Sequence, residues 1–538
     1  MVASSSRAGG PRRPIAAAFL LVLCLCSAPS RASERYLCFE DTGVPHALIV
    51  NIATDAAASG TVVIDGLAFS QAFSIPARGM TSIRVPASAM VSGSGIAAGR
   101  AVHVNCDEDV QVYAFEDTTG SSEGERADPV TLMGSEYYVM TYTATLGFPS
   151  QFAVVATADG SMVEIVPTSA NDAGRPVGAP YSIALNRGDV YQLQASLAGQ
   201  DLSGTHIRET AGKQIAVFAG NSLGVVPAGT ASADHIDEQM LPLAALGSEY
   251  VAVPTMLHSA DRLRILAPGY GTVFTASDGG GGSLSPGLVF ERSVTAPVRF
   301  VATGAVLMEQ FVASATVDPQ PVTNADASAA VLLPRSAWGN LHRIVVPSDT
   351  AQVHRLAIVV PCASSDSVLL DSNHLAAGSF TPVSGTTDCV ARVQVVPGVH
   401  VLAAPVPIEV LAYGAADYTS YSFASRGTVS AYPPPPPLDV TTPPERRGVM
   451  LLPNRPNPFT SFTSIRCVLP ATMRAWLAIY DPAGRLVRGI FNGWAGPGAH
   501  EYTWDGRDAS GQMQGAGVYL CRLRAGRDTF VRRIVLLR

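Results

Sequence analysis

Lysine is almost missing from this chain. Lys213 is the single one among 538 residues, so arginine carries nearly all the positive charge. Charged residues make up only 15%, and the net charge of −7 comes without any basic block, which argues against a nucleic-acid partner. No Cys-x-x-Cys spacing occurs, which disfavours a zinc site built on thiolates. No long window shows helical periodicity. Beyond the N-terminus no apolar run reaches the roughly 20 residues that a transmembrane helix needs, so none is expected in the mature chain.

What is there is apolar and rich in turns. Hydrophobic residues make up 47%, beside 49 Gly and 39 Pro. That balance suits short strands joined by turns better than charged helices. The length exceeds what one core supports, since cores stop growing near roughly 250–300 residues.

Arg7, Arg12 and Arg13 precede an apolar run at Ile15–Cys26 that is too short to span a bilayer. Ser30 and Ala32 then stand at the −3 and −1 positions of a cut after Ala32. Residues 1–32 read as an export signal. Its removal leaves Cys38, Cys106, Cys362, Cys389, Cys467 and Cys521. An even number in an exported chain favours disulfides, and pairing in sequence order keeps each bridge within one module.

"AYPPPPPLDVTTPPERRG" at 431–448 can join neither helix nor sheet ladder and reads as a stiff spacer. It separates a region at 33–430 from a module at 449–538. In the first region, period-2 apolar runs such as "FAVVATA", "YSIAL" and "VYQLQ" alternate with turn signals such as "ADGS" and "NRGD". Apolar strands with a central alanine recur at Ala114, Ala219, Ala313 and Ala412, about 100 residues apart. Pro-x4-Gly recurs at Pro129/Gly134, Pro242/Gly247 and Pro334/Gly339. The expected class is all-β: tandem β-sandwich-like repeats followed by a C-terminal Ig-like β-sandwich, with a large β-propeller plus Ig-like domain as the alternative.

Two stretches resemble known families. "GSEYYVMTYTA", "VVATADGSMVEIVP", "DLSGTHIRETAGKQIAVFAGN" and "DHIDEQMLPLAALGSEYVAVP", spread over about 134–254, resemble the N-terminal domain of the IgGFc-binding protein family. The resemblance implies a binding role, with an extracellular protein or glycan as ligand. "LLPNRPNPFTSFTSIRCVLP", "AIYDPAGRLVRGI" and "GPGAHEYTWDGRDASGQMQGAGVYLCRL", within about 450–538, resemble the type A C-terminal sorting domain of the type IX secretion system. That domain is related to the Ig-like module of flagellar hook-capping proteins. This second resemblance implies contact with secretion machinery and a secreted or outer-surface location on a Gram-negative-type bacterium.

The densest polar stretch is "ADHIDEQM". As a metal site it offers Asp234, His235 and Glu238, but it lacks HExxH spacing, an EF-hand pattern and a second histidine. The preferred reading is a polar turn at a repeat junction. "GNSLG" places Ser222 in a G-x-S-x-G, yet Pro227 and Gly229 follow where a nucleophile elbow needs a helix. Arg187-Gly188-Asp189 reads as a hairpin turn, and "SDGGGGSLSPG" at 277–287 as a flexible loop. The acidic stretch "NCDEDV" at 105–110 could bind calcium weakly but reads better as a solvated turn beside a cysteine, and no cofactor beyond calcium is expected. No constellation supports catalysis. The expected function is an exported, non-enzymatic binding or adhesion protein. The alternatives are an exported hydrolase or metal-dependent enzyme, and a self-assembling surface component.

Overall fold

The computed structural model describes residues 33–428 and 449–537, apart from residues 45, 119–120, 145–146, 197, 231, 319–323, 348–352, 417, 453, 455, 470–472, 483, 496–497 and 527. The expected export signal at 1–32 and the expected spacer at 431–448 lie outside the described residues. The chain divides into two compact units, Met1–Pro435 and Pro436–Arg538. Among the described residues the only helical segments are short 3₁₀ turns, and none is long and apolar enough to cross a membrane. The chain is all-β and sandwich-like.

The first unit holds four repeats, each ending in an antiparallel strand pair. In chain order these pairs are β1 (Val110–Thr118) with β2 (Ser121–Ala127), β3 (Ile215–Gly224) with β4 (Asp234–Gln239), β5 (Val298–Val312) with β6 (Ser328–Val331), and β7 (Gly398–Ala416) with β8 (Thr419–Ser425). Two sheets build each repeat. In the first, Ser33–Leu37, Val102–Cys106, Ala58–Ile64 and Phe69–Ile75 form one sheet, and Met80–Val85, Ala47–Thr54, β1 and β2 the other. In the third and fourth repeats a single long strand, β5 or β7, runs through both sheets. In the first two it is interrupted, at 107–109 and 210–214.

The four last strands close a ring. β2 packs against β4 and β8, and β6 packs against the same two. Period-2 geometry gives each strand two buried faces, so sheets of neighbouring repeats stack. On Ser150–Ala156, for example, Phe152 and Val154 enter one core while Ala153 and Val155 enter the core of the first repeat. Tyr113 and Phe115 on β1 meet Phe423 and Tyr421 on β8, with ring centroids 4.8 and 5.8 Å apart. Beside this apolar seam sits a clamp between the first and last repeats. The Asp128 carboxylate lies 2.9 Å from Arg126 Nε and 3.0 Å from Arg426 Nη2. The two guanidiniums hold that carboxyl well below the usual carboxylate range, despite its burial.

The recurring Pro-x4-Gly has a packing cause. Each proline opens a 3₁₀ turn at Val130–Leu132, Leu243–Ala245 or Arg335–Ala337. A Cβ on Gly134 would stand 2.5 Å from Pro242 Cβ, and one on Gly247 would stand 2.4 Å from Pro334 Cβ. Gly134 and Gly247 thus each seat against the next repeat's proline, whereas Gly339 seats against the backbone of Gly427. The third alanine mark is out of register. Gly134, Gly247 and Gly339 pair with Ile215, Val306 and Ile408, so the residue four positions on is Ala219, Gln310 or Ala412. Gln310, not Ala313, is the equivalent position.

Cys362 and Cys389 form a disulfide. Cys38 and Cys106 are buried free thiols. Cys106 stands opposite Ser33 across the ladder, and Cys38 lies five residues further along the chain. At about 3.3 Å per residue that separation is roughly 16 Å, far beyond disulfide reach.

In the second unit, Met450–Leu451, Thr463–Leu469 and Gly498–Trp504 form one sheet. The other is β9 (Met473–Tyr480), β10 (Leu486–Ala495), β11 (Gly517–Ala525) and β12 (Asp528–Leu536), in the order β10-β9-β11-β12. Trp504, Phe459 and Leu477 fill the core between the two sheets. Cys467 and Cys521 share that core as free thiols. Burial, with Cys467 beside it, pushes the Cys521 thiol up to about 12.

Candidate functional site

"DHIDEQ" is a strand, not a turn. All six residues of β4 are buried, so the polar-loop expectation is overturned. The stretch extends because it pairs with β3, whose Gly220 lets the two backbones close. A Cβ on Gly220 would meet Ile236 O at 1.7 Å. Alternation then separates the sequence candidates. Asp234 and Glu238 share one face with the core residue Ile236, while His235 and Asp237 share the other. Asp234, His235 and Glu238 therefore do not converge. Among the described residues, no group of three or more His, Cys, Asp or Glu side chains is arranged to hold a metal ion.

The face carrying His235 and Asp237 turns toward the first repeat. There Glu116 on β1 stands directly across the ladder from Glu123 on β2, and Ala114 stands across from Glu125. The three glutamates share one face and line a cavity of about 10 Å³ with Phe39, His235 and Asp237. That is about the room one water needs. Glu116, Glu123, Glu125, Asp237 and nearby Glu40 are all at most 5% exposed. Both carboxylate oxygens of Glu40, Glu116 and Glu125, Glu123 Oε2 and Asp237 Oδ1 have no hydrogen-bond partner.

The electrostatics follow from this burial. Desolvation raises Glu40, Glu116, Glu123, Glu125 and Asp237 well above the carboxylate range, and the Asp237 charge adds to the shifts of Glu40, Glu116 and Glu125. Three further acids around the ring, Glu238, Glu309 and Glu409, are raised by burial in the same way. Burial thus favours the protonated, uncharged form of each of these acids. Two ionised carboxylates directly opposite on a ladder would repel, and protonation removes that repulsion at Glu116 and Glu123.

His235 completes the arrangement. Its Nδ1 lies 3.2 Å from Ser222 O, and a carbonyl only accepts, so Nδ1 carries the proton. Nε2 keeps its lone pair 3.0 Å from Glu116 Oε2, although the approach is off the line of a hydrogen bond. Burial, with His46 beside it, pushes His235 down to about 3. The imidazole is therefore neutral and burial also disfavours the charged form of Glu116, so the contact is not an ion pair.

The remaining candidates fall out individually. Ser222 is buried within β3 and no helix follows it. Arg187-Gly188-Asp189 lies in the tight turn that joins Tyr181–Leu185 to Val190–Gln194, with Gly188 at φ +82, but the two strands belong to different sheets, so the hairpin expectation is overturned. Asp189 is occupied by the backbone N–H groups of Gly99 and Asn186. The stretch at 277–287 is not a free loop, because Gly281–Leu284 pairs with Thr272–Ala276. In the turn at 105–110, Asp107 accepts from Ser59 N and Asp109 meets Arg35.

The family model described as IgGFc binding protein matches residues 127–414, more than half of the chain. The chain belongs to the IgGFc-binding protein family. The match spans the second and third repeats and most of the fourth. A second model, the FlgD Ig-like domain, matches residues 463–528. A curated relative, the IgGFc-binding protein of Homo sapiens, is 28% identical over 238 residues, 43% of this chain. The chain spans only 4% of that relative's length. Among solved structures, dimeric latent PorU from Porphyromonas gingivalis is similar at 11% identity and a TM-score of 0.16, covering 52% of this chain and 30% of that one. A 1.5-MDa bacterial ice-binding adhesin gives 12% identity and a TM-score of 0.11, covering 57% and 98%. Superpositions that poor carry no argument about function.

Proposed function

We propose that this member of the IgGFc-binding protein family is an exported, non-enzymatic binding protein displayed at the cell surface. Its ligand-facing parts would be loops and strand edges carried by the ring of four repeats. Membership of the family over 127–414 is the observation that carries this reading. The Ig-like module would serve as the secretion and anchoring signal, a role supported by its match to the hook-capping Ig-like domain and by the residues that resemble a sorting domain.

Separate tags, one in an exposed loop of the ring and one just inside the C-terminus, test the reading when each is followed by protease access on intact cells. The expected result is a surface-exposed ring tag and loss of the C-terminal tag. Both tags together in the periplasm would contradict it. Surface plasmon resonance of the purified chain against secreted glycoproteins, immunoglobulin Fc among them, then tests binding. Saturable binding is expected, and a flat response to every glycoprotein on the panel would sink that half.

A further inference from the structure

The outer face of the second unit's four-stranded sheet carries cations and aromatic rings and almost no acid. On β9, Ala475, Leu477 and Ile479 enter the core, which leaves Arg474, Trp476 and Tyr480 on the opposite face. Trp494 of the edge strand β10 pairs with Arg474, and Asn492 pairs with Trp476. On the other side Arg524 pairs with Trp476, its guanidinium carbon 5.8 Å from the ring centroid. Arg522 stacks over Tyr480 at 4.0 Å. The four strands contain one acidic residue, Asp528, at the end of β12. Among the described residues neither Arg474 nor Arg524 forms an ion pair.

Trp476, Trp494, Arg474, Arg524 and Asn492 line a concavity of about 590 Å³. Small-ligand sites span roughly 300–1,000 Å³ and combine apolar walls with a few convergent polar groups. Trp494 is 73% exposed, an unusual state for so large an apolar side chain.

We propose that this face is a binding platform for an anionic saccharide, such as a run of uronic acid units. The electron-rich indole faces take the C–H face of a pyranose ring. The guanidiniums of Arg474 and Arg524 take its carboxylate, which a planar fork can grip with two parallel hydrogen bonds. Asn492 supplies a donor and an acceptor for hydroxyl groups. A nucleic acid also stacks on aromatic rings, but it needs a longer phosphate-neutralising stripe than this short cluster of arginines provides, and the whole chain is acidic. The platform lies wholly within the Ig-like module and does not depend on any ligand of the ring.

The test is a fluorescence titration of the full chain with polygalacturonate, dextran as the neutral polymer and oligo-thymidylate of matched charge. Trp494→Ala and Arg524→Gln are compared with the parent, and both replaced side chains are exposed, so melting curves should be unchanged. The expected result is saturable binding of polygalacturonate, weakened at least tenfold by each substitution, with dextran inert. No binding of polygalacturonate, or binding that neither substitution alters, overturns the proposal. Tighter binding of the oligonucleotide overturns it in favour of nucleic acid.

Discussion

At the scale of single residues the molecule contains two opposite kinds of buried charge. Asp128 is ionised and gripped by two guanidiniums, whereas Glu116 is buried without a cation or a satisfied hydrogen bond. Removing one member of a buried pair strands the others, so Asp128→Ala should destabilise the ring by about 3–5 kcal/mol. Urea unfolding of the full chain measures this. Glu116→Gln should behave differently. It keeps the shape and removes an ionisation that burial opposes, so near pH 8 it should leave stability unchanged or raise it, by up to about 1.4 kcal/mol for each unit of lost shift. A loss of several kcal/mol at pH 8 would show instead that an ionised Glu116 is held there by a partner.

At the scale of elements the strand pair β3–β4 decides whether the acid junction forms. Gly220 sits against Ile236 O because the two backbones approach more closely there than any side chain permits. Gly220→Ala should therefore part the pair that positions His235 and Asp237, at a cost of about 3 kcal/mol. Hydrogen exchange of β4 amides should rise first, and unchanged exchange would contradict this account. Period-2 apolar runs made strands such as Ser150–Ala156 and Val190–Gln194 legible in the sequence, and Pro-x4-Gly marked the repeat starts. "DHIDEQ" reads as a solvated turn because five of its six residues are polar. Only the ring of repeats, a long-range feature, buries them. Glu123 and Glu125 carried a local signal, two acids at strand spacing in "SSEGERAD". It becomes meaningful only once β2 is known to face β4. The third alanine mark failed because Gln310 fills the position and bonds Val253 O and Asp261.

At the scale of the whole molecule, the ring closes around protons. The folded state keeps Glu40, Glu116, Glu123, Glu125 and Asp237 protonated at pH values where an unfolded chain, titrating near about 4, has released them. Asp261 and Asp326, raised to about 6, act in the same sense. Unfolding above about pH 4 therefore releases protons, and the contribution of these groups is greatest in acid and declines as pH rises. Asp128 and Asp201, whose folded values are depressed, act oppositely and lose their contribution as pH falls below about 4. His235 and His342, pushed down to about 3 and about 4, also cost stability as pH falls below about 6.5, but the seven raised acids outnumber them and keep the stability optimum in mild acid. The most direct measurement is the denaturation midpoint of the purified full chain between pH 3 and 9, beside Glu116→Gln and Glu123→Gln. A midpoint that rises from pH 8 to about 5.5 and falls again below about 4, with the rise reduced in both variants, is the result expected of a protonated junction. A midpoint that climbs toward pH 8 in the parent chain would contradict it.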